Sequence, residues 1–178
     1  MNKTYLISDT HFGHKKMIEY CGRPNDFEEI IWNNLDKIND YENTLIHLGD
    51  FCIGQDEHFH SMFETYKFKK ILVLGNHDNK SNSWYLNKGW DFVCENFVNK
   101  YFGKKIMFSH TPLKLYNNED LNIHGHFHNN LPRLLRNEYV TGEEEYRNKH
   151  DIENLTDKHK LISIENLLSP INLKQFIS

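Results

Sequence analysis

Alanine does not occur anywhere in the 178 residues. Asn, Lys and Ile are heavily used instead, a bias that reads as the base composition of an AT-rich genome. Cysteine occurs three times, at Cys21, Cys52 and Cys94, with no CxxC pair. An odd, scattered set argues against a disulfide framework and points to a reduced, cytoplasmic protein. No apolar run approaches the roughly 20 residues of a transmembrane helix. The N-terminus, MNKTYLISD, enters a strand at once. Neither a membrane span nor a signal peptide is therefore expected. An excess of positive charge is lacking too. The formal net charge is −4, and the longest basic stretch is Lys67-Phe68-Lys69-Lys70. Such a chain is a poor electrostatic match for long nucleic acid, while a nucleotide or short oligonucleotide stays open.

Bulky core material is plentiful. Hydrophobic residues make up 38%, with 12 Phe, 9 Tyr and 3 Trp. That suits one domain over residues 1–178 with a substantial core. The periodicity predicts strands at 3–8, 44–48 and 70–74, with helices at 27–39 and 57–66 between them. This β-α-β-α-β rhythm implies parallel strands with right-handed crossovers. A short helix is predicted at 82–87. The second half reads as strands at 92–98, 105–109, 121–124 and 161–165. The fold class is thus α/β with mixed sheets. Residues 129–160 are strongly charged and read as a surface insertion.

Five polar clusters each follow an apolar run: Asp9-Thr10-His11, Gly49-Asp50, Gly75-Asn76-His77-Asp78, His110, and Gly125-His126-Phe127-His128. Strands ending on one edge would bring them together. Nearly all their side chains can bind metal through oxygen or imidazole nitrogen. Two divalent ions need about eight protein contacts at four apiece, fewer where water fills gaps. Asp50 is the natural bridge, because a carboxylate has two oxygens. Asp9 and His11 are two residues apart, as are His126 and His128. On a strict strand each pair faces one way and grips metal without backbone distortion, with Gly125 allowing a tight turn beforehand. Oxygen and nitrogen donors without thiolate suit manganese, iron, zinc or nickel better than calcium or magnesium.

The series DxH, GD, GNHD, H, GHxH resembles the calcineurin-like metallophosphoesterase superfamily, with every motif present in order. SDTHFGHKKMIEYCGRP and the ending ISIENLLSPINL are similar to a small bacterial and phage branch of predicted phosphoesterases. The resemblance implies a four-layer αββα sandwich with metals at the strand ends. It implies one divalent ion held by Asp9, His11, Asp50 and His128, and another by Asp50, Asn76, His110 and His126. Manganese comes first, with iron, zinc or nickel as alternatives. A metal-bridging hydroxide would attack a phosphodiester or phosphomonoester in line. His77 would protonate the leaving group or stabilise the transition state, with Asp78 orienting it. That branch carries His and Arg at the places of His14 and Arg23, so the resemblance implies contact with the substrate phosphate for both, against the plainer role of holding the loop.

A small phosphorylated substrate is the expected partner, with no membrane and no long nucleic acid; oligomeric state stays open. A nuclease on short DNA or RNA and a non-catalytic binding scaffold are the competing functions. Members of the latter kind typically lose ligands, and here none is missing. Of the remaining histidines, His47 and His124 are expected to be structural, and His58, His60, His150 and His159 to lie at the surface. Cys52 is expected to be a small buried hydrophobe rather than a nucleophile.

Overall fold

The apolar runs form strands buried on both faces, which is why they read as nearly continuous hydrophobic sequence. A computed structural model describes residues 2–130 and 155–178. In its first sheet, β1 (Thr4–Ile7), β2 (Thr44–His47), β3 (Lys69–Val73) and β4 (Phe92–Cys94) run parallel, and β9 (Ile171–Asn172) pairs antiparallel with β1. The second sheet holds β5 (Asn96–Tyr101), β6 (Lys104–Ser109), β7 (Leu121–His124) and β8 (His159–Leu161). Its β5 is antiparallel to β6 and the others are parallel. Both sheets are mixed, as expected.

Side chains alternate across the first sheet with the strand period of two. Leu6, Ile46 and Val73 point between the sheets, where they meet Ile106, Phe108 and Ile123. Ile7, Leu45 and Leu72 point the other way, onto helical residues Phe27, Ile31, Leu35, Phe59 and Phe63. These belong to α2 (Phe27–Asp36) and α3 (Asp56–Glu64); α1 (Met17–Cys21), α4 (Asn82–Asn87) and α5 (Leu173–Ile177) complete the described helices. Buried Met17 of α1 and Tyr85 of α4 join the same helix-side core.

Several sequence expectations are corrected. The strand predicted over 92–98 is two strands in two sheets, broken at an exposed bend at Glu95. Beyond it the Phe97 ring stacks on Phe108 at 4.8 Å, committing β5 to the second sheet. The strand predicted over 161–165 ends at Leu161, and Ile164–Asn166 is a 3-10 turn. The helix predicted over 27–39 ends at Asp36. Helices α1 and α5 and the short β9 were not expected. Of the charged 129–160 stretch, residues 131–154 lie outside the described residues. Among the described residues, no helix is long and apolar enough to cross a membrane.

His60 is also corrected: it lies fully buried in α3 rather than at the surface. The Trp90 Nε1–H donates to its Nδ1 at 2.9 Å. Because indole nitrogen only donates, Nδ1 must be an acceptor and the ring neutral. Burial pushes the imidazole down to about 3. The unfolded chain therefore takes up a proton below about pH 6.5 that the folded chain refuses until far lower. Stability from neutral His60 is present above that pH and is lost as pH falls toward the folded value. His60→Gln keeps an acceptor for Trp90 but cannot titrate. Urea unfolding in chelator should show its stability falling less steeply on the acid side than the wild type's, by up to about 1.4 kcal/mol per pH unit. Parallel curves would show that His60 does not carry this proton uptake.

Candidate metal centre

The strand ends continue pairing into the loops that carry the clusters. The Asp9 N–H donates to the Gly49 carbonyl at 2.9 Å, His11 N–H to Asp50 at 3.0 Å, and Gly125 N–H to His110 at 2.9 Å. The backbone there is not strand. Asp9, His11, Asp50, His126 and His128 all have left-handed φ, between 49° and 73°. Non-glycine residues pay a steric penalty in this region, and such residues cluster at functional sites. The expectation that each His pair grips metal without distortion is therefore corrected. Asp9 and His11 share a side because each sits in a left-handed turn, not because the chain is extended.

Two clusters result. In the first, ligand atoms of Asp9, His11 and His128 lie within 4.8 Å of one another. In the second, those of Asp50, His110 and His126 do the same. Asn76 joins the second, its Oδ1 3.0 Å from His110 Nε2, which is itself 3.0 Å from His126 Nδ1. Asp50 Oδ2 lies between them, 3.7 Å from His11 Nε2 and 3.4 Å from His110 Nε2. Sharing thus falls to one oxygen rather than two, since Asp50 Oδ1 accepts the His77 N–H at 2.8 Å. Asp9 divides its oxygens similarly. Its Oδ2 accepts from Ser8 and from the His126 N–H, whereas Oδ1 is buried with no hydrogen-bond partner. That orphaned oxygen faces His128 Nε2 at 3.8 Å and His11 Nε2 at 4.0 Å.

A buried carboxylate oxygen with nothing to accept is costly, and a cation among these donors would satisfy it. The electrostatics agree. Burial raises the Asp9 carboxyl, against the pull of His110 and His128. Burial also works to raise Asp50, but the hydrogen bond and charge of His110 hold it well below the usual carboxylate range. Burial opposes charge on His110, yet Asp50 and Asp9 lift it to about 9. Without a metal, protons on imidazole thus neutralise the carboxylates. A divalent ion would take over that role, so the donors fit the expected metals.

Close approach explains the glycines. A Cβ at Gly125 would lie 1.8 Å from Ser8 Oγ and 2.5 Å from Asp9 Oδ2. Its φ is not left-handed, so the expected tight turn is replaced by tight packing against Asp9. A Cβ at Gly75 would similarly lie 2.2 Å from Asp50 Oδ1. Gly125→Ala should displace Asp9, destabilise the fold by roughly 1–3 kcal/mol and weaken the first cluster's metal binding. Melting curves with and without Mn²⁺ check this. Undiminished stabilisation by Mn²⁺ would show that Asp9 had not moved.

The other expected site residues separate. The exposed His77 has its ring 5.4 Å from His11, at the mouth of the site. His14 is half-buried beside it, its ring 5.8 Å from His11 and Nδ1 without a partner. Asp78 does not contact the His77 ring. Its Oδ2 accepts the Asp50 N–H at 2.7 Å and the Gly75 N–H at 2.8 Å, and Oδ1 the Phe51 N–H at 3.1 Å. Asp78 therefore holds the strand-end loop that presents Asp50. Arg23 is buried and donates to the Asp9 and Thr10 carbonyls and to Glu165, the bonds of the loop-holding role weighed against phosphate contact.

Glu165 was missed. Its Oε1 lies 2.9 Å from His128 Nδ1, leaving Nε2 to face Asp9. Carboxylates of this kind orient metal-ligating imidazoles. The only sequence signal was its place in ISIENLLSPINL, to which no role could be attached. His47 is structural as expected: Nδ1 accepts the Gly49 N–H at 3.2 Å and Nε2 lies 3.0 Å from Thr10 Oγ1. Cys52 is buried, and burial pushes its thiol up, the setting of a small buried hydrophobe.

Comparison with known proteins places this arrangement. Residues 3–168 match the family model described as calcineurin-like phosphoesterase. An uncharacterized protein of Methanocaldococcus jannaschii is 32% identical over 141 residues, covering 73% of this chain and 72% of its own. The gene 66 protein of Mycobacterium phage L5 is 31% identical over 84 residues, 44% of this chain and 41% of its own. The crystal structure of a protein of unknown function from Aquifex aeolicus superposes with a TM-score of 0.70 at 27% identity. It covers 98% of this chain and 97% of the other.

Proposed function

We propose that this chain, which belongs to the calcineurin-like phosphoesterase family, hydrolyses a small phosphodiester or phosphomonoester with two divalent metal ions, manganese first. The first ion would be held by Asp9, His11, Asp50 and His128, the second by Asp50, Asn76, His110 and His126. When bound, such ions polarise phosphoryl oxygens and make water a nucleophile at neutral pH. One observation carries the dinuclear reading: Asp50 Oδ2 lies within 3.7 Å of an imidazole nitrogen from each cluster.

The remaining roles follow from position. The His77 backbone N–H is fastened to Asp50 Oδ1, and its ring lies 5.4 Å from that of His11. There it would give a proton to the leaving oxygen. His14 would contact the phosphate from the same side. Asp78 and Arg23 act through the backbone of the ligand loops. The net charge of −4 favours a nucleotide or other small ester over long nucleic acid. Three free cysteines suit a reducing, cytoplasmic setting.

The test is hydrolysis of bis-p-nitrophenyl phosphate and p-nitrophenyl phosphate by metal-stripped protein before and after Mn²⁺ is restored. Turnover that appears only with metal supports the reading. Folded protein that stays inactive with manganese, iron, zinc and nickel would count decisively against it.

A further inference from the structure

We propose that the buried Arg23–Glu165 pair is a positioning device that sets the metal affinity of the first cluster and leaves the second largely alone. The proposal rests on the reading of the two clusters as a metal centre. The Arg23 side chain has no exposed surface. Its Nη1 donates to the Thr10 carbonyl at 2.8 Å and its Nη2 to the Asp9 carbonyl at 2.7 Å. Its Nε and Nη2 also donate to Glu165 Oε1, at 3.0 and 2.6 Å. That same oxygen lies 2.9 Å from His128 Nδ1, while Ser163 Oγ donates to Oε2 at 2.9 Å.

One rigid guanidinium is thus fastened at one side to the left-handed turn that presents Asp9 and His11. At its other side it grips the carboxylate that aims His128. These ligands follow β1 and β7, strands of different sheets. Their spacing is therefore not set by any strand ladder, and the pair ties the two sheet edges together where the ligand atoms must converge. A planar fork can serve two carbonyls and a carboxylate at once, which a lysine ammonium on a flexible stem cannot. The second cluster is aimed differently, with His110 Nδ1 2.7 Å from the Leu48 carbonyl.

Calorimetric titration of the full metal-stripped chain with Mn²⁺ tests this. Wild type should take up two ions. Arg23→Lys and Glu165→Gln should each weaken one of them by about 10–100-fold and leave the other. Repeating the titration in an Asn76→Ala background, where the second cluster is impaired, identifies which ion is lost. Because a single change can strand a buried charge, Arg23→Met with Glu165→Leu provides a folded comparison. It should show the same selective loss while still unfolding cooperatively in the absence of metal. Variants that bind both ions like the wild type, or lose both equally, would overturn the proposal. Wild type that bound no Mn²⁺ would overturn the metal reading, and this proposal with it, before any substitution is made.

Discussion

Asp50→Asn should lower metal-dependent phosphoester hydrolysis by about a thousandfold or more, the several kcal/mol that metal ions contribute to such transition states. The reason is geometric. Oδ2 of Asp50 lies close to both clusters, 3.7 Å from His11 Nε2 and 3.4 Å from His110 Nε2. An amide keeps the shape and can still accept the His77 N–H that Oδ1 accepts now. It removes the charge that makes a shared cation favourable. The variant should therefore fold, and both Mn²⁺ affinities should fall together. Steady-state hydrolysis and a titration on the same preparation check this. Loss of one ion with the other retained would show that Asp50 belongs to a single cluster.

His77→Ala should have the second-largest effect and a different signature. General acid–base groups contribute about 10²–10⁴-fold, so turnover should fall by that much. Metal binding should not. The His77 ring stands at the mouth, and its tie to the site is a backbone N–H that alanine retains. The loss should also shrink for substrates with a better leaving group, whose oxygen needs no proton. Two Mn²⁺ ions retained with slow turnover fits this role. A variant that bound no metal would make His77 a ligand and reassign the site.

The site was legible where each ligand directly follows an apolar run. Asp9, Asp50 and Asn76 follow β1, β2 and β3 of the first sheet, and His110, His126 and His128 follow β6 and β7 of the second; within each sheet these strands are parallel, so topology brings each group to one edge. The first-sheet strands were legible for a related reason, since burial on both faces leaves uninterrupted runs such as ILVL before Gly75. What failed was whatever depends on direction or distance. Asp78 adjoins His77 in sequence, but adjacent side chains do not share a direction, and its carboxylate caps backbone amides. Glu165 lies 37 residues from His128 and 142 from Arg23, and no spacing rule connects them. Left-handed φ at five ligands leaves no mark on composition. Gly125 looked like a turn residue because its constraint, the Asp9 side chain against it, lies 116 positions away. The strand predicted over 92–98 failed because the Glu95-Asn96 pair between two apolar runs reads equally as the exposed face of one strand and as a bend between two.

Electron paramagnetic resonance of the wild-type chain loaded with Mn²⁺ tests the shared centre most directly. Two ions bridged through Asp50 should give an exchange-coupled spectrum, and Asp50→Asn should not. Fully loaded wild-type protein showing only the signal of isolated, uncoupled Mn²⁺ would contradict the account.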